Sequence, residues 1–252
     1  MQGKSIGLWI GAAFALWTAG AQPVRADDAK PVAIVMSPKA GDSVRYKTTL
    51  KINLNGSDIT VEQNRKHVVK EVKENKDVVL AVEDEGGKVG ADGNDMDLPA
   101  GTPTAVTVDK ANKVLSFKPE KEDNPYLSTA AQHLIALIDR IVLPDKPVKP
   151  GDSWTTEVDN PQVKGKKVTI KTTFVGEDKA DGAPAMKFKQ TLEADTGAAD
   201  AKLKAETTAL LDPGTGQLIE EEQTAKGIPG TMGPVDWKAT IKRLKKDGAA
   251  AK

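Results

Sequence analysis

The chain has 252 residues, 36 basic and 36 acidic side chains, no cysteine and only 4% aromatic residues. Without cysteine it has no disulfide, no Cys-ligated metal site, no cysteine nucleophile and no lipidated cysteine of the kind that anchors bacterial lipoproteins. A formal net charge of zero gives no overall attraction to nucleic acid or to anionic lipid.

Residues 1–26 have the build of a secretory signal peptide. Lys4 gives a positive region, residues 6–16 are apolar, and small-residue cleavage sites end at Ala21 and Ala26. The alternative is a retained membrane anchor, but the apolar stretch is shorter than the ~20 residues of a spanning helix. We therefore predict an exported protein, periplasmic or secreted, without stable membrane insertion after cleavage.

The first half of the mature chain reads as strands. After a polar lead-in over 27–42, strict alternation of apolar and polar residues predicts a long strand over 43–54, and Asn55-Gly56 predicts a hairpin turn. Residues 62–76 are rich in helix formers, but too few are apolar for an amphipathic helix, so a strand is favoured. Further strands are predicted over 78–82, 106–108 and 114–117, with a Gly- and Asp-rich loop over 84–104.

One amphipathic helix is predicted over 125–142. Its apolar residues fall on one side at 100° per residue, whereas His133 and Arg140 fall on the polar side. Asn124 is the expected N-cap, and Pro144 is expected to end the helix.

The second half begins with a proline connector over 144–153 and continues as a second strand set over 154–243. Pro144, Pro147 and Pro150 recur every three residues, which suits a stiff polyproline II segment rather than a ligand for an aromatic groove. Alternating residues then predict strands around Phe174 and Phe188, and later strands up to 243. Residues 244–252 are expected to be a flexible basic tail.

These elements predict a mainly β (α+β) fold of one domain over 43–243. About nine or ten antiparallel strands would form a large curved sheet or half-barrel, packed on the one central helix.

Motifs for catalysis or metal binding are weak. The acidic loop 92–97 offers oxygen ligands for calcium but does not match an EF-hand, so a solvated loop is the preferred interpretation. The two histidines, His67 and His133, lack a metal-ligand spacing. We therefore expect no metal, no cofactor and no enzymatic activity. The shortage of arginine and aromatic residues argues against nucleic acid.

Four aromatic residues are the candidate ligand-binding residues. Tyr46, Phe174, Phe188 and Trp237 lie at alternating strand positions that face one side of the predicted sheet. We expect them to line an apolar cleft, with the helix as its plug.

Two motifs carry a resemblance to a known family. The stretch 144–154 reads Pro-x-x-Pro-Val-x-x-Gly-Asp-x-Trp, and 211–216 reads Leu-Asp-x-x-Thr-Gly. In these motifs the chain resembles exported bacterial domains of unknown function over roughly residues 43–243. It is more distantly similar to the half-barrels of periplasmic lipoprotein carriers and of mycobacterial lipid-binding lipoproteins. The resemblance implies no catalytic residues.

Two functions follow as hypotheses. The first is a binding module outside the cytoplasm for a lipid or another hydrophobic small molecule. The second is a structural or interaction protein of the cell envelope with a packed core, whose partner would be another envelope protein. An internal cavity of roughly 300 Å³ or more would favour the first.

Overall fold

The computed structural model describes residues 30–54, 57–91, 94–121, 126–198 and 201–245. The predicted signal peptide, the Asn55-Gly56 turn and most of the predicted tail lie outside the described residues. In chain order the strands are β1 (Ser43–Leu54), β2 (Ser57–Val72), β3 (Val78–Ala91), β4 (Asn94–Leu98), β5 (Thr104–Val108), β6 (Val114–Pro119), β7 (Ser153–Asp159), β8 (Lys167–Ala180), β9 (Ala183–Asp195), β10 (Lys202–Leu211), β11 (Leu218–Gly230) and β12 (Gly233–Arg243). The helix α1 (Thr129–Ile138) lies between β6 and β7.

All the described strands belong to one curved antiparallel sheet that does not close on itself. Its order is β6-β5-β3-β2-β1-β12-β11-β10-β9-β8-β7, and β4 pairs with β3 beside β5. The first and last strands of the chain, β1 and β12, therefore pair in the middle of the sheet and join the two halves. This confirms the predicted fold class, with twelve strands rather than nine or ten.

Alternation explains how the sheet buries one face. In β8, β9 and β10 every second residue is buried and its neighbours are mostly exposed, as expected for a sheet with one wet face. The ambiguous segment 62–76 does contribute a strand, because β2 continues to Val72 in register with β1 and β3.

The prediction of a loop over 84–104 was wrong for most of that range. β3 continues to Ala91 and β4 follows as a short return strand. The end of β3 contains several glycines, so it shows no alternation of apolar and polar residues. Gly87 is required there for a structural reason. A Cβ at Gly87 would lie 1.9 Å from the carbonyl oxygen of Glu62 on β2, beside a register shift between Gln63 and Arg65. Only glycine permits that approach of the two backbones.

The helix is shorter than predicted. It begins after Ser128, whose Oγ accepts a hydrogen bond from the backbone N–H of Ala131 at 3.2 Å, and the expected cap at Asn124 lies outside the described residues. Asp139 forms the C-cap, so residues 140–142 are not helical. Ile141 and Val142 are nevertheless buried. Because they are apolar and follow the helical spacing, the sequence pattern predicted that the helix continues through them.

The core has two parts. The larger lies under α1 and contains Leu134, Ile138 and Trp237, among others. The smaller contains Phe174 and Phe188 in the second half of the sheet.

The predicted polar lead-in is described from residue 30, and it contributes to this smaller core. Ile34 is buried there, and Val32 pairs with Val148 of the proline connector. No helix in the described part of the chain is long and apolar enough to span a membrane.

Candidate functional site

Two small cavities lie between the inner face of the sheet and the end of α1. The first, of about 100 Å³, has an apolar wall that includes Val69, Val78, Leu80 and Val108; we call it the helix-end cavity. The second, of about 170 Å³, lies along the helix beside Phe117; we call it the helix-flank cavity. Three residues border both cavities: His67, Asp139 and Arg140.

The polypeptide between α1 and β7 is fixed by buried side chains rather than by secondary structure. Gln190 on β9 is 2% exposed. Its Nε2 donates to the carbonyl of Arg140 at 2.9 Å, and its Oε1 accepts from the N–H of Val142 at 3.0 Å and from the hydroxyl of Thr172 at 2.9 Å. The indole N–H of Trp154 donates to the carbonyl of Val142 at 3.1 Å. These bonds replace the helical pattern and hold the backbone of Arg140 in place.

An ion network lies beside the cavities. Arg65 on β2 and Asp84 on β3 are cross-strand partners, and Arg65 Nε is 3.0 Å from Asp84 Oδ1. The same guanidinium reaches the helix C-cap, with Nη1 3.2 Å from Asp139 Oδ2. Gln223 Nε2 donates to the other oxygen of Asp139 at 3.1 Å and to Glu221 Oε1 at 2.7 Å. Arg65 therefore pairs with both aspartates of the network, although its single charge balances only one of them.

Several polar groups that border the helix-end cavity are left without hydrogen-bond partners among the described residues, and the buried Asn112 Oδ1 is one of them. The side chain of Arg140 has no hydrogen bond or ion pair there. The hydroxyl of Tyr46 has none either, and its ring lies 4.8 Å from that of His67 between centroids. Glu221 Oε2 is buried and has no hydrogen-bond partner. Glu221 is 1% exposed and Tyr46 is 5% exposed, so the cavity is where these groups could find a partner.

Burial determines the protonation of this cluster. It raises the pKa of Glu221 to about 8, and the nearby charge of Asp139 adds to the effect. Burial also raises the pKa of Tyr46 to about 12. It lowers the pKa of His67 well below its usual value, and the charges of Arg140 and Arg65 act in the same direction. At neutral pH the cluster therefore presents a neutral imidazole, two O–H donors and the cationic Arg140.

The structure separates the four predicted ligand-binding residues. Tyr46 borders the helix-end cavity. Phe174 and Phe188 are 1% and 0% exposed, and their rings pack together with centroids 5.3 Å apart in the smaller core. Trp237 lies in the larger core and borders a different hollow of about 770 Å³ near Lys226. The four therefore do not line one cleft; a ligand-binding role for each stays a prediction.

Apart from His67, the other residues that the sequence offered as possible site residues do not lie in the two cavities. His133, expected at the surface, is half-buried and stacks on Phe117 with ring centroids 5.6 Å apart. Asp95 and Asp97 of the acidic loop lie on β4, and Asp92 lies outside the described residues. No group of three or more His, Asp or Glu suited to a metal occurs in the described ranges. The proline connector borders a hollow of about 440 Å³ with Trp154.

Apart from Tyr46, the residues of the polar cluster were not predicted from the sequence to belong to a ligand site. Arg140 was placed on the outer face of a helix that in fact ends before it. Arg65, Asp139, Glu221 and Gln223 were not singled out. One signal was available: alternation with the buried Ala225 places Gln223 and Glu221 on the inner face of β11, and an acidic residue at an inward position is uncommon without a partner.

No protein-family model and no curated protein sequence matches the chain. Three solved structures are similar to it. A protein from Bacteroides fragilis, described as exported and with a YmcC-like fold, is 14% identical over 84% of this chain and 100% of that chain, with a TM-score of 0.36. The hypothetical lipoprotein YmcC from Escherichia coli is 13% identical over 79% and 83%, with a TM-score of 0.29. A lipoprotein from Parabacteroides distasonis is 8% identical over 83% and 97%, with a TM-score of 0.35.

The descriptions of all three name exported proteins or lipoproteins, the kind of protein that the sequence motifs resemble. With identities this low, function has to be argued from the site itself.

Proposed function

We propose that the protein is a non-enzymatic binding module outside the cytoplasm that holds a small hydrophobic molecule between its sheet and α1. The helix-end cavity carries this proposal. Its wall combines a patch of valine and leucine side chains with polar residues that include Tyr46, Arg140 and Glu221. An apolar pocket with a small number of convergent polar groups is the usual form of a small-molecule site.

The size of the cavities limits the ligand. The helix-end cavity of about 100 Å³ and the helix-flank cavity of about 170 Å³ are each smaller than a typical pocket of ~300 Å³ or more. They suit a short aliphatic molecule better than a whole phospholipid. The proposal therefore narrows the expected lipid or hydrophobic ligand to a small one.

A binding role rather than catalysis is supported by the composition of the site. His67 and carboxyl groups border the helix-end cavity, but no serine does so among the described residues, so a serine–histidine–acid arrangement has no nucleophile there. The location is supported by the signal-like sequence of residues 1–26.

Native mass spectrometry of the protein purified from its own host tests the proposal. We expect a bound small molecule that is lost on denaturation, and reduced occupancy in Val78→Phe, which fills the helix-end cavity. Val79→Phe is the matched control, because Val79 is the next residue of β3 and is not buried. If wild-type protein shows only the apo mass, before and after exposure to short-chain lipids, the proposal fails and the packed envelope component becomes the better account.

A further inference from the structure

The positive charges around the helix-end cavity do not exceed the negative ones, but one of the two arginines there forms no ion pair with any described residue. Asp84 and Asp139 both pair with Arg65, and Gln223 takes the second oxygen of Asp139. Arg140 borders the same cavity without an ion pair to any described residue. Arg140 is partly buried, and a guanidinium that is shielded from water gains when it pairs with an opposite charge. An anionic group in the cavity is therefore a suitable partner for it.

The neighbours of Arg140 are suited to the same partner. The Tyr46 hydroxyl and Glu221 Oε2 have no partner among the described residues, and both residues are more than nine-tenths buried. With its pKa raised to about 8, Glu221 carries a proton at neutral pH and can donate to an anion instead of repelling it. A guanidinium and two hydroxyl donors then face one cavity.

The geometry favours a carboxylate over a larger or more highly charged group. A planar guanidinium matches a planar carboxylate through paired N–H···O bonds. Within this cluster Arg140 is the one cation without an ion pair to a described residue, and the charges of Asp139 and Asp84 nearby disfavour a doubly charged phosphate. The rest of the cavity wall is largely aliphatic, which suits an alkyl chain.

We propose that Arg140, with the Tyr46 hydroxyl and the Glu221 carboxyl group, binds the carboxylate of a small aliphatic carboxylic acid whose alkyl chain lies against the valine and leucine wall of the helix-end cavity. This inference rests on the proposed function and names the chemical class of its ligand.

Calorimetric or NMR titration with hexanoate and 1-hexanol tests it, because the two ligands share a chain and differ in the head group. Wild-type protein should bind hexanoate about tenfold or more tightly than 1-hexanol. Arg140→Gln should remove that preference and leave the affinity for 1-hexanol unchanged. Arg45→Gln is the matched control, since Arg45 lies on the outer face of β1 and is 50% exposed; it should bind both ligands as wild type does.

Tyr46→Phe provides a second variant that conserves the packing of the ring. It should weaken hexanoate binding several-fold without changing 1-hexanol binding, so the test does not depend on the folding of Arg140→Gln. Equal affinity of wild-type protein for both ligands would overturn the carboxylate inference while the proposed hydrophobic binding role stands. Binding of neither ligand would overturn both. Binding of acetate as tight as that of hexanoate would overturn the role of the aliphatic wall.

Discussion

The side-chain amide of Gln190 donates to the backbone carbonyl of Arg140 at 2.9 Å, and this bond ties the sheet to the segment that carries the unpaired guanidinium. The same amide accepts from the N–H of Val142 and from the hydroxyl of Thr172. One buried side chain thus replaces the hydrogen bonds that a continued helix would have made, and it positions the polar end of the candidate site.

Replacing this amide should therefore be costly. Gln190→Leu leaves the carbonyl of Arg140, the N–H of Val142 and the Thr172 hydroxyl without their partner, each at about 1–3 kcal/mol. We expect the free energy of unfolding, measured by urea titration, to fall by about 3 kcal/mol or more. Lys189→Leu, at the exposed neighbouring position, should change it by about 0.5 kcal/mol or less. A small effect of Gln190→Leu would show that the segment is held by packing alone.

The elements that the sequence predicted well are those whose neighbours in space are also neighbours in the chain. Period-two alternation found β1 and most strands of the second half, because each of them buries one face against the core. The later part of β2 was favoured as a strand only because it has too few apolar residues for an amphipathic helix.

The candidate site could not be predicted in this way, because its bonds join distant segments. Arg65 reaches Asp139, 74 positions away, and Gln190 reaches Arg140, 50 positions away. The hydrophobicity of Ile141 and Val142 correctly indicated burial. Their backbone groups, however, bond to the side chains of Asn112 in the β5–β6 turn and Gln190 on β9, so the helix ends at Ile138.

Phe188 gives a test of the ligand-binding residues that were predicted from alternation. Because its ring is fully buried against Phe174, Phe188→Leu should lower the free energy of unfolding by about 1 kcal/mol. The affinity for hexanoate should stay that of wild type. If Phe188→Leu lost as much affinity for hexanoate as Tyr46→Phe, Phe188 would instead have to be counted among the ligand-binding residues.

Glu221 should make stability fall as pH rises from about 4.5 to about 8. Its folded-state pKa of about 8 lies above the usual value, so the folded state holds this proton more tightly than the unfolded state does. The stabilisation is complete below about pH 4.5 and is lost as pH rises towards 8, at up to about 1.4 kcal/mol per pH unit. Glu221→Gln should flatten this part of the stability profile in urea titrations between pH 5 and 9.

Glu222→Gln is the control for that experiment, because Glu222 is the exposed neighbour on the same strand. It should keep the wild-type profile. His67 acts at the other end: its lowered pKa gives stability that is present above pH 6.5 and is lost as pH falls below it. If Glu221→Gln kept the wild-type slope between pH 5 and 8, the protonation proposed for the cluster would be contradicted.

Arg65 should affect both stability and binding. Arg65→Met leaves Asp84 and Asp139 without their shared cation, and we expect a loss of about 2 kcal/mol in the free energy of unfolding, since the three side chains are only partly buried. Asp139 then becomes available to pair with Arg140, so the affinity for hexanoate should also fall.

Lys47→Met is the comparison for Arg65→Met, because it breaks an exposed pair with Glu62 whose atoms are 2.8 Å apart. It should change the free energy of unfolding much less than Arg65→Met does and leave hexanoate binding unchanged. Wild-type affinity in Arg65→Met would mean that Asp139 does not compete for the guanidinium.

The central claim is that the helix-end cavity binds the ligand, and methyl NMR during a hexanoate titration tests it most directly. The account predicts that the largest shift changes occur at the methyl groups of Val69, Val78 and Leu80, which border that cavity. The largest changes beside Trp237, or an absence of changes at saturating hexanoate, would contradict it.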